Sequence, residues 1–140
     1  MNTLAIIILI PVVIFFLTAC SQSTRAAKSI KYSERAVILV EKEALLFHDL
    51  GAPWFPYALK INNENFDFGE IQIATGENII KFGLGFAEYK ILMQAVVASR
   101  YRVIGFQKGI GSAALYFVDV ERYDKEKNVW FKMDPALTKH

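Results

Sequence analysis

The sequence predicts an all-β domain, an antiparallel sandwich of about seven or eight strands behind an apolar leader. Three observations carry this expectation. Short runs rich in Val, Ile, Phe and Tyr recur from Ala36 onward. Turn signals built on Asn, Asp and Gly separate them at short intervals. The apolar fraction, 54% of the 140 residues, is high enough for a packed core rather than a disordered chain.

The leader comes first. Residues 4–19 read LAIIILIPVVIFFLTA and carry no charge. An apolar stretch of about 7–15 residues followed by small residues is the pattern of a secretory signal. Leu4–Leu17 is short for a bilayer core about 30 Å thick, which takes roughly 20 residues in a helix. Pro11 adds a further cost in a helix interior. Met1-Asn2-Thr3 lacks Lys and Arg, so only the amino terminus supplies positive charge. The alternative is an uncleaved membrane helix that ends near an incidental Cys20.

Leu17-Thr18-Ala19-Cys20 resembles the lipobox of bacterial lipoproteins. The resemblance implies a signal peptide over 1–19, cleavage before Cys20, and lipid (palmitate and related acyl chains) on that cysteine. A cysteine suits this role because its thiolate is a strong nucleophile. Two or three acyl chains, at about 0.8 kcal/mol per buried CH2, anchor a protein stably. The resemblance implies a bacterial cell-envelope location. Ser21 at the following position points to the outer membrane in an organism that has one.

Removing residues 1–19 leaves about 120 residues, enough for one domain with a core. Residues 20–35 then read as the lipidated cysteine and a flexible polar tether. Its Arg25, Lys28, Lys31 and Arg35 stay solvated or brush anionic head groups. The single domain spans 36–140. Strand signals fall on Ala36–Lys42, Tyr57–Ile61, the alternating stretch Phe66–Ala74, Ile79–Leu84, Tyr89–Val97, Tyr101–Gln107, Ala114–Arg122 and Val129–Met133. Asn62-Asn63, Thr75-Gly76-Glu77-Asn78 and Asp124–Asn128 read as turns.

Two stretches leave an α+β alternative open, with helices near 34–50 and 88–99. Ser33 could cap the first, with Gly51 and Pro53 as stop signals. Val37–Val40 argues against it, because β-branched residues lose side-chain freedom in a helix. Ala, Met, Gln and Leu in Glu88–Ser99 favour a helix, but Tyr101–Gln107 needs a strand partner.

Ala36–Val40, the Asn62-Asn63 turn, Phe68–Ile71, Ala74–Ile80 and Arg100–Val103 together resemble PEGA-like and related lipoprotein domains. The resemblance covers roughly residues 36–122. It implies a small immunoglobulin-like sandwich without a catalytic centre.

The chemistry-bearing residues are few. His48-Asp49 is the only adjacent acid–base pair, and neighbours on a strand point to opposite faces. His140 is terminal and remote from it. Cys20 is the only cysteine, so neither a disulfide nor a multi-cysteine metal site can form. Gly83-Leu84-Gly85-Phe86 and Gly109-Ile110-Gly111-Ser112 lack the Lys-Ser/Thr of a phosphate loop and read as strand bends or bulges. Asp119, Glu121, Asp124 and Glu126 cluster without calcium-loop spacing and read as a solvated hairpin. No catalytic, cofactor or metal residue is assigned. The formal net charge of +2 implies no dedicated nucleic-acid surface.

Gly51-Ala52-Pro53-Trp54-Phe55-Pro56-Tyr57 is the most unusual stretch. Two prolines stiffen it. Trp54, Phe55 and Tyr57 are the candidate contact residues for a protein, glycan or lipid partner. Otherwise they cover one end of the core. The functional expectation is a non-enzymatic, lipid-anchored binding or structural module, held to the membrane through Cys20 and engaging an envelope protein or wall component. The alternatives are a small-ligand carrier or lipoprotein enzyme, and an assembly subunit of an envelope secretion or pilus machine.

Overall fold

The run Ala36–Val40 pairs on both of its sides. Ala36, Ile38 and Val40 are fully buried, and Val37 and Leu39 are half-buried on the other face. A strand covered on both faces needs this nearly continuous apolar run. Among the described residues of this stretch, 34–49, no α-helix forms. Short 3-10 turns at Tyr32–Glu34 and Glu43–Leu45 flank the strand instead. The second ambiguous stretch is likewise a strand as far as Ala95, paired with the segment before it, and turns over residues 96–99.

This computed structural model describes residues 22–49, 52–109, 115–133 and 138–139. The leader, Cys20, Ser21, Gly51, Gly111, Ser112 and His140 lie outside the described residues. In chain order the strands are β1 (Ala36–Val40), β2 (Phe47–Asp49), β3 (Ala52–Trp54), β4 (Tyr57–Ile61), β5 (Glu64–Asn65) and β6 (Gly69–Ile73). Then come β7 (Gly76–Leu84), β8 (Ala87–Ala95), β9 (Arg100–Lys108), β10 (Leu115–Asp124), β11 (Val129–Lys132) and β12 (Thr138–Lys139). One helical turn, α1 (Arg25–Lys28), precedes them.

The strands form two five-stranded sheets and a separate hairpin. The first sheet has the order β11-β10-β9-β1-β6, the second β12-β8-β7-β4-β5, and β2 pairs with β3. Ile38, Val40, Ile71, Tyr101, Val103 and Val118 from the first sheet meet Leu59, Ile61, Ile80, Phe82, Ile91 and Met93 from the second in one core. Each such side chain contributes about 1.5–3 kcal/mol on burial.

The sandwich is all-β, as expected, but two details differ. The described strands number twelve rather than seven or eight. The additional ones, β2, β3, β5 and β12, are two or three residues long, too short to leave a periodic signal. The sheets are also not wholly antiparallel. β1 and β9 run parallel, from Val37↔Arg100 to Val40↔Val103. Seven strands, β2 to β8, lie between them in the chain, so no hairpin dictates their direction.

Residues 22–35 are not a free tether. Gln72 N donates to Gln22 O at 2.9 Å and Thr24 N donates to Gln72 O at 3.0 Å, which adds a short parallel bridge to the edge of β6. Thr24 caps α1 through Ala27 N at 3.1 Å, and Thr24 and Ala27 are completely buried. The Gln22 side chain accepts from Asp67 N at 2.8 Å and donates to Asp67 O at 3.1 Å. The packed domain therefore begins at Gln22 or before. This segment covers a sheet edge that would otherwise recruit other chains. It also explains why Ile71, Gln72 and Ile73 are all buried where alternation was expected.

Asn62 and Asn63 both have positive φ, 53° and 65°. That is the geometry of a two-residue hairpin turn, which asparagine tolerates. Asn62 also reaches across the sheet. Its Oδ1 accepts from Ile79 N at 2.9 Å, and its Nδ2 donates to Asn78 Oδ1 at 3.0 Å. Asn78, 1% exposed, donates in turn to Ala74 O at 2.9 Å. Asn78→Ala removes a buried donor and acceptor together and is expected to cost about 1–3 kcal/mol. A lowered urea midpoint at unchanged slope is the measurement that checks it.

Candidate functional site

The two sheets leave different ends. At one end Val96 N donates to the Tyr101 hydroxyl at 2.8 Å, tying the exit of β8 to the entry of β9. At the other end the sheets are bridged by aromatic rings, and the chain after β1 folds over the opening. Leu45 is fully buried there, and β2–β3 follows with Phe47 opposite Trp54 and His48 opposite Pro53.

A side-chain amide fastens this hairpin. His48 N donates to Gln107 Oε1 at 3.1 Å, and Gln107 Nε2 donates to His48 O at 2.9 Å. Gln107 thus imitates one residue of a neighbouring strand. Rings lead outward from the core. Phe82 stacks on Tyr89 at 5.5 Å, Tyr89 meets Tyr116 edge-on at 5.6 Å, and Tyr116 meets Phe47 edge-on at 5.5 Å. Pairs of this kind add about 0.5–1.5 kcal/mol each.

Two glycines make the arrangement possible by what they lack. Tyr57 lies against Gly83 so closely that any Cβ there would strike its ring. Its hydroxyl donates to Gly85 O at 2.6 Å. Tyr116 lies against Gly105 in the same way. Gly83 was expected at a bend or bulge; it sits within β7 beside a register shift in the pairing with β4, and it also serves a close approach. The turn is at Gly85, where φ is +61°.

The result is an open apolar groove of about 630 Å³. Phe47, Trp54, Phe86, Tyr89, Leu115 and Tyr116 line it. Phe86 at the tip of the β7–β8 turn is wholly exposed, Leu115 is 60% exposed and Trp54 39%. Phe55 and Tyr57, the other expected contact residues, are 50% and 51% exposed on the same end. Trp54 approaches Gly85 and lies 6.5 Å from Phe86. Thus the Trp54 stretch forms a half-open rim, with neighbours that the sequence did not single out. Phe86, Leu115 and Phe47 are isolated residues in the chain. The one sequence signal for them was an aromatic directly after a turn glycine.

The Tyr116 hydroxyl is buried and has no hydrogen-bond partner among the described residues. Burial, and then the neighbouring Tyr89, push its pKa well above the ordinary 10.0. Burial raises Tyr89 as well.

The remaining candidates separate. His48 is exposed, and Gln107 engages its backbone rather than its ring. Asp119 pairs with Lys132 at 3.2 Å and Glu121 with Arg102 at 2.6 Å. Asp124 accepts from Glu126 N at 3.0 Å inside the hairpin turn. The carboxylates are thus engaged one by one. Among the described residues, no three His, Cys, Asp or Glu are grouped to hold a metal.

Gly83→Ala is expected to displace Tyr57 and cost about 1–3 kcal/mol. The cost should shrink in a Tyr57→Ala background, which a double-mutant cycle reads directly. Tyr116→Phe removes an unpaired buried hydroxyl and should be neutral or stabilising at pH 7. Folded Tyr116 and Tyr89 hold their protons more tightly than the unfolded chain does. That stability is complete below the unfolded value of 10.0 and is lost as pH rises through the folded values. Denaturation midpoints should therefore fall above about pH 10, and less steeply in Tyr116→Phe.

Comparison of the chain with family models, curated proteins and solved structures finds no match.

Proposed function

We propose that this protein is a lipid-anchored module of the bacterial cell envelope whose work is binding rather than catalysis. The observation that carries the binding part is the aromatic end of the sandwich. Trp54, Phe86 and Leu115 stand exposed around an apolar groove. Large exposed apolar side chains gathered in one place mark contact surfaces for protein, glycan or lipid. The anchor rests on Leu17-Thr18-Ala19-Cys20 and the uncharged segment before it. Together they describe a domain held at a membrane and offering an apolar end to an envelope partner.

A second reading, a small-ligand carrier, draws on the groove itself. Its volume, about 630 Å³, falls within the range of about 300–1,000 Å³ typical of ligand pockets. Its open form and exposed rim favour the contact-surface reading.

Intact mass of the mature protein tests the anchor. The wild type should have lost residues 1–19 and gained acyl chains, and Cys20→Ser should show neither change. A wild type carrying no acyl mass would sink the lipid reading. A photo-crosslinking residue in place of Phe55 tests the surface in intact envelopes. It should give an adduct, with envelope protein or with lipid, that a crosslinker at Lys127, on the opposite end, does not.

A further inference from the structure

The described chain begins at a particular place on the molecule. Gln22 is held by two hydrogen bonds to the Asp67 backbone, 2.8 and 3.1 Å long. Only Ser21 separates it from Cys20. Two residues of chain span about 7 Å at most. The described chain thus starts at the Asp67 corner, two residues after Cys20 in the sequence.

That corner belongs to the aromatic end. Asp67, Phe68 and Gly69 share one shallow groove with Pro56 and Tyr57. Tyr57 bonds Gly85, and Trp54 and Phe86 follow directly. The start of the described chain and the exposed apolar side chains thus share one end of the sandwich. The opposite end also exposes Val97 and Phe131, but they border a recess lined by the charged residues Arg100, Arg122, Asp124, Lys125 and Glu126.

We infer that the aromatic end seats on the bilayer itself, with Trp54, Phe55, Tyr57, Phe86 and Leu115 inserted at the headgroup–acyl boundary. The inference rests on the anchored reading above and names the partner of that same surface. A short leash presses this end against the lipid, and the effective concentration of membrane there is very high. Trp and Tyr suit the boundary because each joins an apolar ring to a polar tip. Phe86 and Leu115 supply purely apolar contact. Both charge signs occur around this end, with Lys42 and Lys108 beside Glu41, Glu43 and Glu88. The docking is therefore apolar in origin and should persist at high salt. The Cys20 lipid then anchors the protein, and the aromatic end sets its orientation on the bilayer.

The chain carries its own control, because it has two tryptophans. Trp130 lies across from Tyr123 on β11, next to the turn at the opposite end, with Arg102 over its ring at 4.4 Å. Full-length protein matured in a bacterial host would be reconstituted into phosphatidylcholine–phosphatidylethanolamine vesicles. These would contain lipid brominated at shallow acyl positions. Trp130→Phe reports Trp54 alone, and Trp54→Phe reports Trp130 alone. Bromolipid should quench more than half of the Trp54 emission, at low and high salt, and leave Trp130 nearly unchanged. Phe86→Asp changes a fully exposed residue, so it should keep the thermal midpoint while at least halving the Trp54 quenching.

Equal quenching of the two tryptophans on floating, acylated protein would overturn the docking and leave the anchor standing. So would a Trp54 shielded from aqueous acrylamide but not quenched by bromolipid, since a protein or a second copy would then cover it. Protein that floats with Trp54 quenched but no acyl mass would uphold the docking and remove the lipid from Cys20. Protein that does not float overturns both.

Discussion

Everything in this fold depends on Ala36–Val40 being covered on two faces and paired on two edges. Its inner face belongs to the core, its outer face is half-buried at Val37 and Leu39, and its edges pair with β6 and β9. The antiparallel partner β6 and the parallel partner β9 come from distant parts of the chain. Bringing them together forces the intervening strands into the opposing sheet. A sandwich with one parallel pair follows from that arrangement. So does the burial of Gln72 at the far edge, because β6 would be left open without residues 22–24 beside it.

The two ends of the sandwich are closed by different chemistry. The end near Asn78 and Tyr101 is closed by polar side chains that satisfy backbone groups. The aromatic end is closed by rings and by a hairpin clipped to Gln107. Rings close a gap without directional demands, so they leave a groove and an exposed rim. A surface of this kind contributes nothing to folding that a polar residue would not do more safely. Its presence is better explained by contact with something outside the fold.

The outer face of the first sheet shows how exposed aromatics are otherwise managed in this molecule. Phe106 and Phe117 stack at 5.4 Å with Lys108 over both rings, and Arg102 lies over Trp130 while bonding Glu121. There each apolar face carries a cationic cover. Among the described residues no cation lies over the Phe86 ring, in contrast to Phe106, Phe117 and Trp130.

The amino-acid sequence by itself determined the class of fold and most of its strands. Ala36–Val40, Tyr57–Ile61 and the runs that became β7 to β11 carry period and composition strong enough to be legible, as do the asparagine and aspartate turns. Trp54, Phe55 and Tyr57 were legible too, because a proline-stiffened aromatic run is unusual on local grounds. The tertiary structure alone decided which strands share a sheet, that β1 and β9 run parallel, and that residues 22–35 are folded rather than loose. It also decided that Phe86, Leu115 and the Gln22 corner join the Trp54 rim at one end. These are relations between residues far apart in the chain. Backbone pairing and side-chain contact across such distances depend on which surfaces meet, and no local pattern records that.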